Sequence, residues 1–366
     1  MKLSLCILLP VSIALVGGFV PRPNAARAKV SLNAGTNADV MMPLRKGSTC
    51  ALITPFTEWG RIDIPNLEKL IQWHLDGGTD NLCILGTTAE AAVMDMEDRA
   101  VVLNTVVKHC KGRIPLLVGT GTINPESVKE MTQQAIDMGA DANLLVTPYY
   151  VKPPMRGIIK HFTKVANMGL PVIMYNVPGR TACSMTDETI ATLAGHENIV
   201  GIKDATGDLS RLHSVKAAIR AEGLDADKFL SYSGDDGTTK DFLLQGGDGC
   251  ISVTANIVPH MMTEMVWAAL DGDVKEANTL NDRLADLHKA LFVESNPIAC
   301  KWAAKRIGLI DSDYCKPPLD AMEERFEPVV DAALKSAGFL GVSHLHHKVT
   351  THDDTTLPMH ERVPFL

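Results

Sequence analysis

One lysine, Lys203, closes the apolar run IVGIK (199–203), and the acidic and turn-forming residues DATG (204–207) follow at once. A lysine held at the edge of an apolar core is partly desolvated. That favours the neutral amine over the ammonium. A free amine is a nucleophile toward ketones. The imine it forms is an electron sink that acidifies the adjacent carbon, which is class I aldolase chemistry and needs no metal. Other apolar runs end in groups that could assist. GTTAE (86–90) brings the hydroxyls and backbone N–H groups of Thr87 and Thr88 into a tight turn that suits a carboxylate or phosphate. TPYYVKPP (147–154) carries Tyr149 and Tyr150, and YNVPGRT (175–181) carries Tyr175 and Arg180. A phenol can shuttle protons, and Tyr175, one run before Lys203, is the candidate. SGDD (233–236) offers backbone access at Gly234, and Ile251 lies in the run GCISV (249–253). Singly, each has a plain structural counterpart: a surface lysine, a core tyrosine, a helix-start turn. Their joint placement at run ends favours chemistry.

A repeat must position these residues. From about residue 48, short apolar runs alternate with amphipathic stretches. The runs are TCALITPF (49–56), NLCIL (81–85), IPLLVG (114–119), ANLLVT (142–147), PVIMY (171–175), IVGIK (199–203), FLSYS (229–233) and GCISV (249–253). Most start about 28–33 residues apart, the length of one strand–helix unit. The stretch PNLEKLIQWHLDGG has Leu67, Leu70, Ile71 and Leu75 at helical spacing and stops at Gly77; PESVKEMTQQAIDMGA opens on the Asn124–Pro125 cap pair. Eight buried parallel strands alternating with helices imply an α/β fold, a (β/α)8 TIM barrel, whose active residues sit at the C-terminal ends of the strands. A doubly wound sheet is the alternative, but no G-x-G-x-x-G follows the first run.

After about residue 255 three amphipathic blocks, 259–292, 295–308 and 319–338, predict a C-terminal helical appendage. The expected boundaries are 44–272 for the barrel and 273–338 for the appendage. The tail, 339–366, lacks periodicity and reads as mobile; its histidines have no matching acidic or cysteine cluster, so no metal site is expected.

The 366 residues are 46% apolar and 21% charged, with a net charge of −8 and no basic patch, which argues against nucleic acid as a partner. Eight scattered cysteines with no CxxC pair read as reduced buried thiols. The start differs from the rest. Residues 1–18 resemble a signal peptide, too short and badly flanked for a membrane span, and 19–43, with three cations and several Ala, Ser and Thr, resemble a transit peptide. The junction GGFVP, with Phe19 first after the cut, resembles the cleavage motif of plastid preproteins in algae with complex plastids. A plastid stromal protein starting near Met41 is therefore expected, with plain secretion disfavoured by the free cysteines.

The set GTTAE, TPYY, YNVPGRT, GIKDATG and SGDDGTTKDFLLQGGDGCISVTAN resembles the dihydrodipicolinate synthase family, within the pyruvate-dependent class I aldolases, over about residues 44–338. YNVPGRT separates that family from the N-acetylneuraminate lyases and keto-deoxy sugar acid aldolases, which usually lack the arginine. The resemblance implies a lyase that condenses pyruvate with L-aspartate 4-semialdehyde in diaminopimelate and lysine biosynthesis, with no cofactor beyond a covalent pyruvate Schiff base on Lys203. It implies that Thr87 and Thr88 hold the pyruvate carboxylate. Thr88, Tyr175 and Tyr150 would form a proton relay. Arg180 would bind the carboxylate of the second substrate, while Gly234 and Ile251 line the pocket. Tyr150 would come from a neighbouring subunit, so a homodimer or homotetramer is implied, with no nucleic acid or membrane partner. Two departures stand out. Ala89 replaces a usual glycine, at a cost of about 1 kcal/mol if that position needs a left-handed φ. Ala91, Ala92, Met96, Arg99, Ile123 and Ser127 replace the polar residues that hold lysine in lysine-inhibited members, leaving only Tyr149. Weak or absent lysine inhibition is expected.

Overall fold

The computed structural model describes residues 43–339, so the leader readings up to Met41 and nearly all of the tail lie outside the described residues. Eight strands form one closed parallel barrel in sequence order: β1 (Gly47–Ala51), β2 (Asn81–Ile84), β3 (Leu116–Gly119), β4 (Ala142–Val146), β5 (Val172–Asn176), β6 (Ile199–Asp204), β7 (Leu230–Ser233) and β8 (Gly249–Ser252). β1 pairs with both β2 and β8, which closes the ring. Each expected apolar run overlaps one strand. The first is shorter than TCALITPF: the ladder stops at Ala51 because the Ile53 N–H donates to the Asn256 side chain and Pro55 has no N–H.

The helices that alternate with the strands are α1 (Ile64–Asp76), α2 (Met96–Cys110), α3 (Pro125–Met138), α4 (Met155–Ala166), the short α5 (Pro178–Thr181), α6 (Asp187–Ala194), α7 (Ser210–Ala221), α8 (Thr239–Leu244) and α9 (Pro259–Leu270). Local chemistry sets their ends. In α3 the Asn124 side chain accepts from the Glu126 N–H, Pro125 occupies the first turn, and Gly139 leaves at φ 80°. In α1 Asp63 caps the start; Gly77 ends the helix in a right-handed conformation, and the left-handed φ of 73° falls on Gly78.

Three more helices follow: α10 (Val274–Ala290), α11 (Ile298–Arg306) and α12 (Glu327–Ser336). The block 259–292 is thus two helices. Gly272, at φ 77°, breaks it, and the Asp273 carboxylate caps α10 by accepting from the Glu276 N–H. One apolar core joins the outer faces of β1–β3 and β8 to α1, α2 and α9–α12, so the appendage and barrel share their packing. A separate inner cluster fills the barrel, with Leu117, Leu144, Ile173, Tyr175, Leu230, Tyr232 and Ile251. Seven cysteines in the described residues are free and buried; Cys6 lies outside them.

Candidate active site

Lys203 is the penultimate residue of β6, and its side chain is buried in the barrel mouth at 6% exposure. Asp204 fixes the strand end beyond it. Its carboxylate accepts from the Asn176 side chain, the Thr206 N–H and the Arg211 guanidinium (Nε, 3.0 Å), and Arg211 also pairs with Asp187. The charge beside the lysine is therefore engaged away from it, leaving the amine to face the barrel.

Inside the barrel Lys203 is in register with Tyr175 on β5 and Tyr232 on β7. Its Nζ lies 4.4 Å from the centroid of the Tyr175 ring, over the π face. The Cys83 thiol of β2 is pushed up to about 11 by burial, against the opposing pull of Lys203, so at neutral pH it stays a neutral wall. Gly234 closes the other side. A Cβ there would stand 2.7 Å from the Ala205 Cβ and 2.9 Å from the Lys203 Cε, so only glycine lets the lysine stem pass. Ile251 is buried in the same inner cluster as Tyr175. Lys203, Tyr175, Gly234 and Ile251 thus belong to the barrel mouth and interior.

The threonine turn follows β2. Thr87–Ala89 form a single 3-10 turn in which Thr87 is exposed and Thr88 buried. Ala89 takes no left-handed φ. That conformation falls on Leu85 (φ 54°) and Glu90 (φ 61°), so alanine for glycine costs no backbone strain at position 89. Glu90 is held in it by a buried ion pair to Lys301 of α11 (2.7 Å) and by the Lys316 N–H (2.7 Å). Burial lowers the Lys301 pKa, the Glu90 charge opposes that shift, and the Lys301 Nζ also rests 4.1 Å above the Phe56 ring.

Two expected members stand apart within this chain. Arg180, in α5, is exposed, and its Nη2 approaches the Asn296 carbonyl at 3.5 Å. Tyr150 is 85% exposed at φ 68° and projects away from the packing of its own chain. The adjoining Tyr149 hydroxyl bonds Thr122 Oγ1 at 3.0 Å, tying the loop after β4 to that after β3.

Sequence reasoning missed two residues. Glu90 was read only as the end of a turn. Asn296, at the entry to α11, donates from Nδ2 to Thr88 Oγ1 at 2.8 Å while its carbonyl faces Arg180. The only local signal was the Asn–Pro pair before a helix, which says nothing of a target 208 residues away.

The family model of the dihydrodipicolinate synthetase family matches residues 44–337. The chain is 46% identical over 295 residues to 4-hydroxy-tetrahydrodipicolinate synthase of Pseudomonas aeruginosa, covering 80% of this chain and 99% of the relative. It is 44% identical over 298 residues to the enzyme of that name from Alcanivorax borkumensis, covering 81% and 99%. Among solved structures it resembles chloride inhibited dihydrodipicolinate synthase from Acinetobacter baumannii complexed with pyruvate, with a TM-score of 0.76, 43% identity, and coverage of 80% of this chain and 99% of that one. These curated relatives are bacterial enzymes, which overturns the plastid location expected from the leader; the transit-peptide reading, which lies outside the described residues, finds no support in them.

Proposed function

This chain belongs to the dihydrodipicolinate synthetase family, and on that premise we propose how its own residues carry the reaction. The reaction is the lyase-type condensation of pyruvate with L-aspartate 4-semialdehyde to 4-hydroxy-tetrahydrodipicolinate, in diaminopimelate and lysine biosynthesis. It runs through a pyruvate Schiff base on a lysine and uses no metal cofactor. The observation that carries the assignment of roles is the Lys203–Tyr175 pair, an amine 4.4 Å from a phenol ring at the mouth of the barrel.

The Lys203 amine attacks the ketone carbon of pyruvate, and water leaves to give the imine. A proton then leaves the pyruvate methyl carbon through the relay of Tyr175, Thr88 and Tyr150, giving the enamine. The enamine carbon attacks the aldehyde, and the relay returns a proton to the new alkoxide. The amine of the second substrate attacks the imine carbon and expels Lys203, which closes the ring. Thr87 and Thr88 present hydroxyl and N–H donors to the pyruvate carboxylate, and Arg180 presents its guanidinium to the semialdehyde carboxylate. Gly234 and Ile251 shape the wall.

The relay is complete only between subunits, in at least a homodimer. The exposure and left-handed φ of Tyr150 support this, as does the exposed Ile123 on the loop tied to its own. The domain division at 272/273 follows the break at Gly272. Lysine inhibition is weak or absent, because Met96 and Ile123 offer apolar side chains and the Arg99 guanidinium is buried on the Gly119 carbonyl.

The test is a turnover assay with pyruvate and L-aspartate 4-semialdehyde on the unsubstituted and Arg180→Ala proteins. Product formation, with KM for the semialdehyde raised about tenfold or more in the variant, supports the roles; that factor is one charge-assisted hydrogen bond of about 1.5–3 kcal/mol. Full activity of Arg180→Ala would remove Arg180 from the semialdehyde site, and no product from the unsubstituted protein would favour an aldolase acting on a keto-deoxy sugar acid.

A further inference from the structure

We propose that Asn296 is a positioning residue that fixes the direction of proton transfer at Thr88, by donating to its hydroxyl oxygen and so turning the hydroxyl proton toward the relay. The inference rests on the role of Thr88 proposed above.

Both residues are buried, and the Asn296 Nδ2 donates to Thr88 Oγ1 at 2.8 Å. A hydroxyl has one proton and two lone pairs. With one lone pair occupied by the amide, the Thr88 proton points elsewhere, and an amide N–H cannot take it. The Asn296 Oδ1 is buried and has no partner among the described residues, so the side chain is held in the site by its donor end.

The bond is not needed to hold the turn. The turn is pinned two residues on, where Glu90 meets Lys301 of α11 and the Lys316 N–H. The segment that enters α11 thus reaches the threonine turn twice. Lys301 fixes its backbone through Glu90, while Asn296 sets only where a hydroxyl points. The same residue faces the other substrate group, because the Asn296 carbonyl lies 3.5 Å from Arg180 Nη2. That contact uses the backbone, so a side-chain substitution leaves it in place.

In the relay Thr88 gives its proton to the phenol oxygen of Tyr175 as it receives one from the next member, and Asn296 keeps both of its own. Without the amide the hydroxyl rotates freely. With a carboxylate at 296 it turns around and donates to residue 296, which withdraws its proton from the relay.

The experiment compares Asn296→Asp and Asn296→Ala with the unsubstituted protein. It measures kcat and KM for both substrates across pH, together with borohydride trapping of pyruvate on Lys203. Asn296→Asp is expected to lose about 100-fold in kcat, the scale of one proton-transfer contribution. KM for both substrates should stay within about twofold, since the Arg180 contact is kept, and the equilibrium pyruvate adduct should persist. Its kcat should partly recover as pH falls and the carboxyl gains a proton to donate, a response that a merely structural role would not give. Asn296→Ala, which buries no charge, carries the case if Asp prevents folding: a loss of about tenfold in kcat at unchanged KM supports the proposal. An unchanged kcat in either variant, or a loss wholly in KM, overturns it; full activity of Asn296→Asp would mean that Thr88 donates to residue 296. Absence of the adduct in the unsubstituted protein would remove the functional reading and this inference together. An adduct with unchanged variant kcat removes the inference alone.

Discussion

Tyr175 and Lys203 are register partners on β5 and β6, and the lysine amine sits 4.4 Å from the centroid of the tyrosine ring. The ring supplies a π face that tolerates the cation and a hydroxyl that can move a proton. Tyr175→Phe keeps the first and removes the second. The variant should fold normally and lose about 10²–10³ in kcat, with slower formation of the pyruvate adduct but the same final extent. Stopped-time borohydride trapping beside steady-state kinetics checks it; an unchanged kcat would take Tyr175 out of the relay.

Gly234 is required by space, not by a left-handed backbone. A Cβ there meets Ala205 and the Lys203 stem at 2.7 and 2.9 Å. Gly234→Ala should push the lysine aside and lower kcat by about tenfold or more, with a stability loss of about 1–3 kcal/mol from overpacking. Thermal melts and the extent of adduct at Lys203 report the two effects separately. A variant with full activity would show that the wall gives way freely.

The Glu90–Lys301 pair is fully buried. Lys301→Met leaves an unpaired buried carboxylate and should cost about 3–5 kcal/mol, read from denaturant unfolding. Adding Glu90→Gln should restore much of that loss, because the stranded charge goes with it. No recovery in the double variant would mean that the lysine stem and its contacts matter more than the charge.

His74 is fully buried, with Nδ1 on Thr79 Oγ1, and burial lowers its pKa to about 3. The unfolded chain, near 6.5, then binds more protons than the folded one between those two values. Stability from the neutral ring is complete above about pH 6.5 and falls with pH below it, by up to about 1.4 kcal/mol per pH unit. His288, also lowered by burial, adds a slope of the same sign. Unfolding free energies from pH 7 to 4 should be flatter in His74→Leu than in the unsubstituted protein; equal slopes would contradict the assignment.

The barrel was legible because each strand is buried on both faces and so reads as a continuous apolar run, unlike the amphipathic helices between. The places of Tyr175 and Lys203 near strand ends were legible for a related reason: an apolar run that stops at a polar side chain marks the end of a barrel strand. The end of β1 was not, because the group that takes the Ile53 N–H is the side chain of Asn256, 203 residues away. Nor was the two-helix nature of 259–292, where the apolar period runs on across Gly272. The support of the threonine turn was hidden by the same distance. Asn296 and Lys301 reach Thr88 and Glu90 across 208 and 211 residues, and no local pattern encodes a contact that only the closed barrel and its appended helices create. Tyr150 is legible only as a tyrosine after the fourth run; its exposure and left-handed backbone have no counterpart in the local pattern.

The most direct test of the account is the covalent one. The protein is incubated with pyruvate, reduced with borohydride, digested and mapped by peptide mass spectrometry, with activity followed in parallel. The account predicts a single pyruvate-derived adduct on Lys203, formed in step with loss of activity and absent from Lys203→Met. A folded protein that gives no adduct, or one that carries it on another lysine while activity is lost, would contradict it.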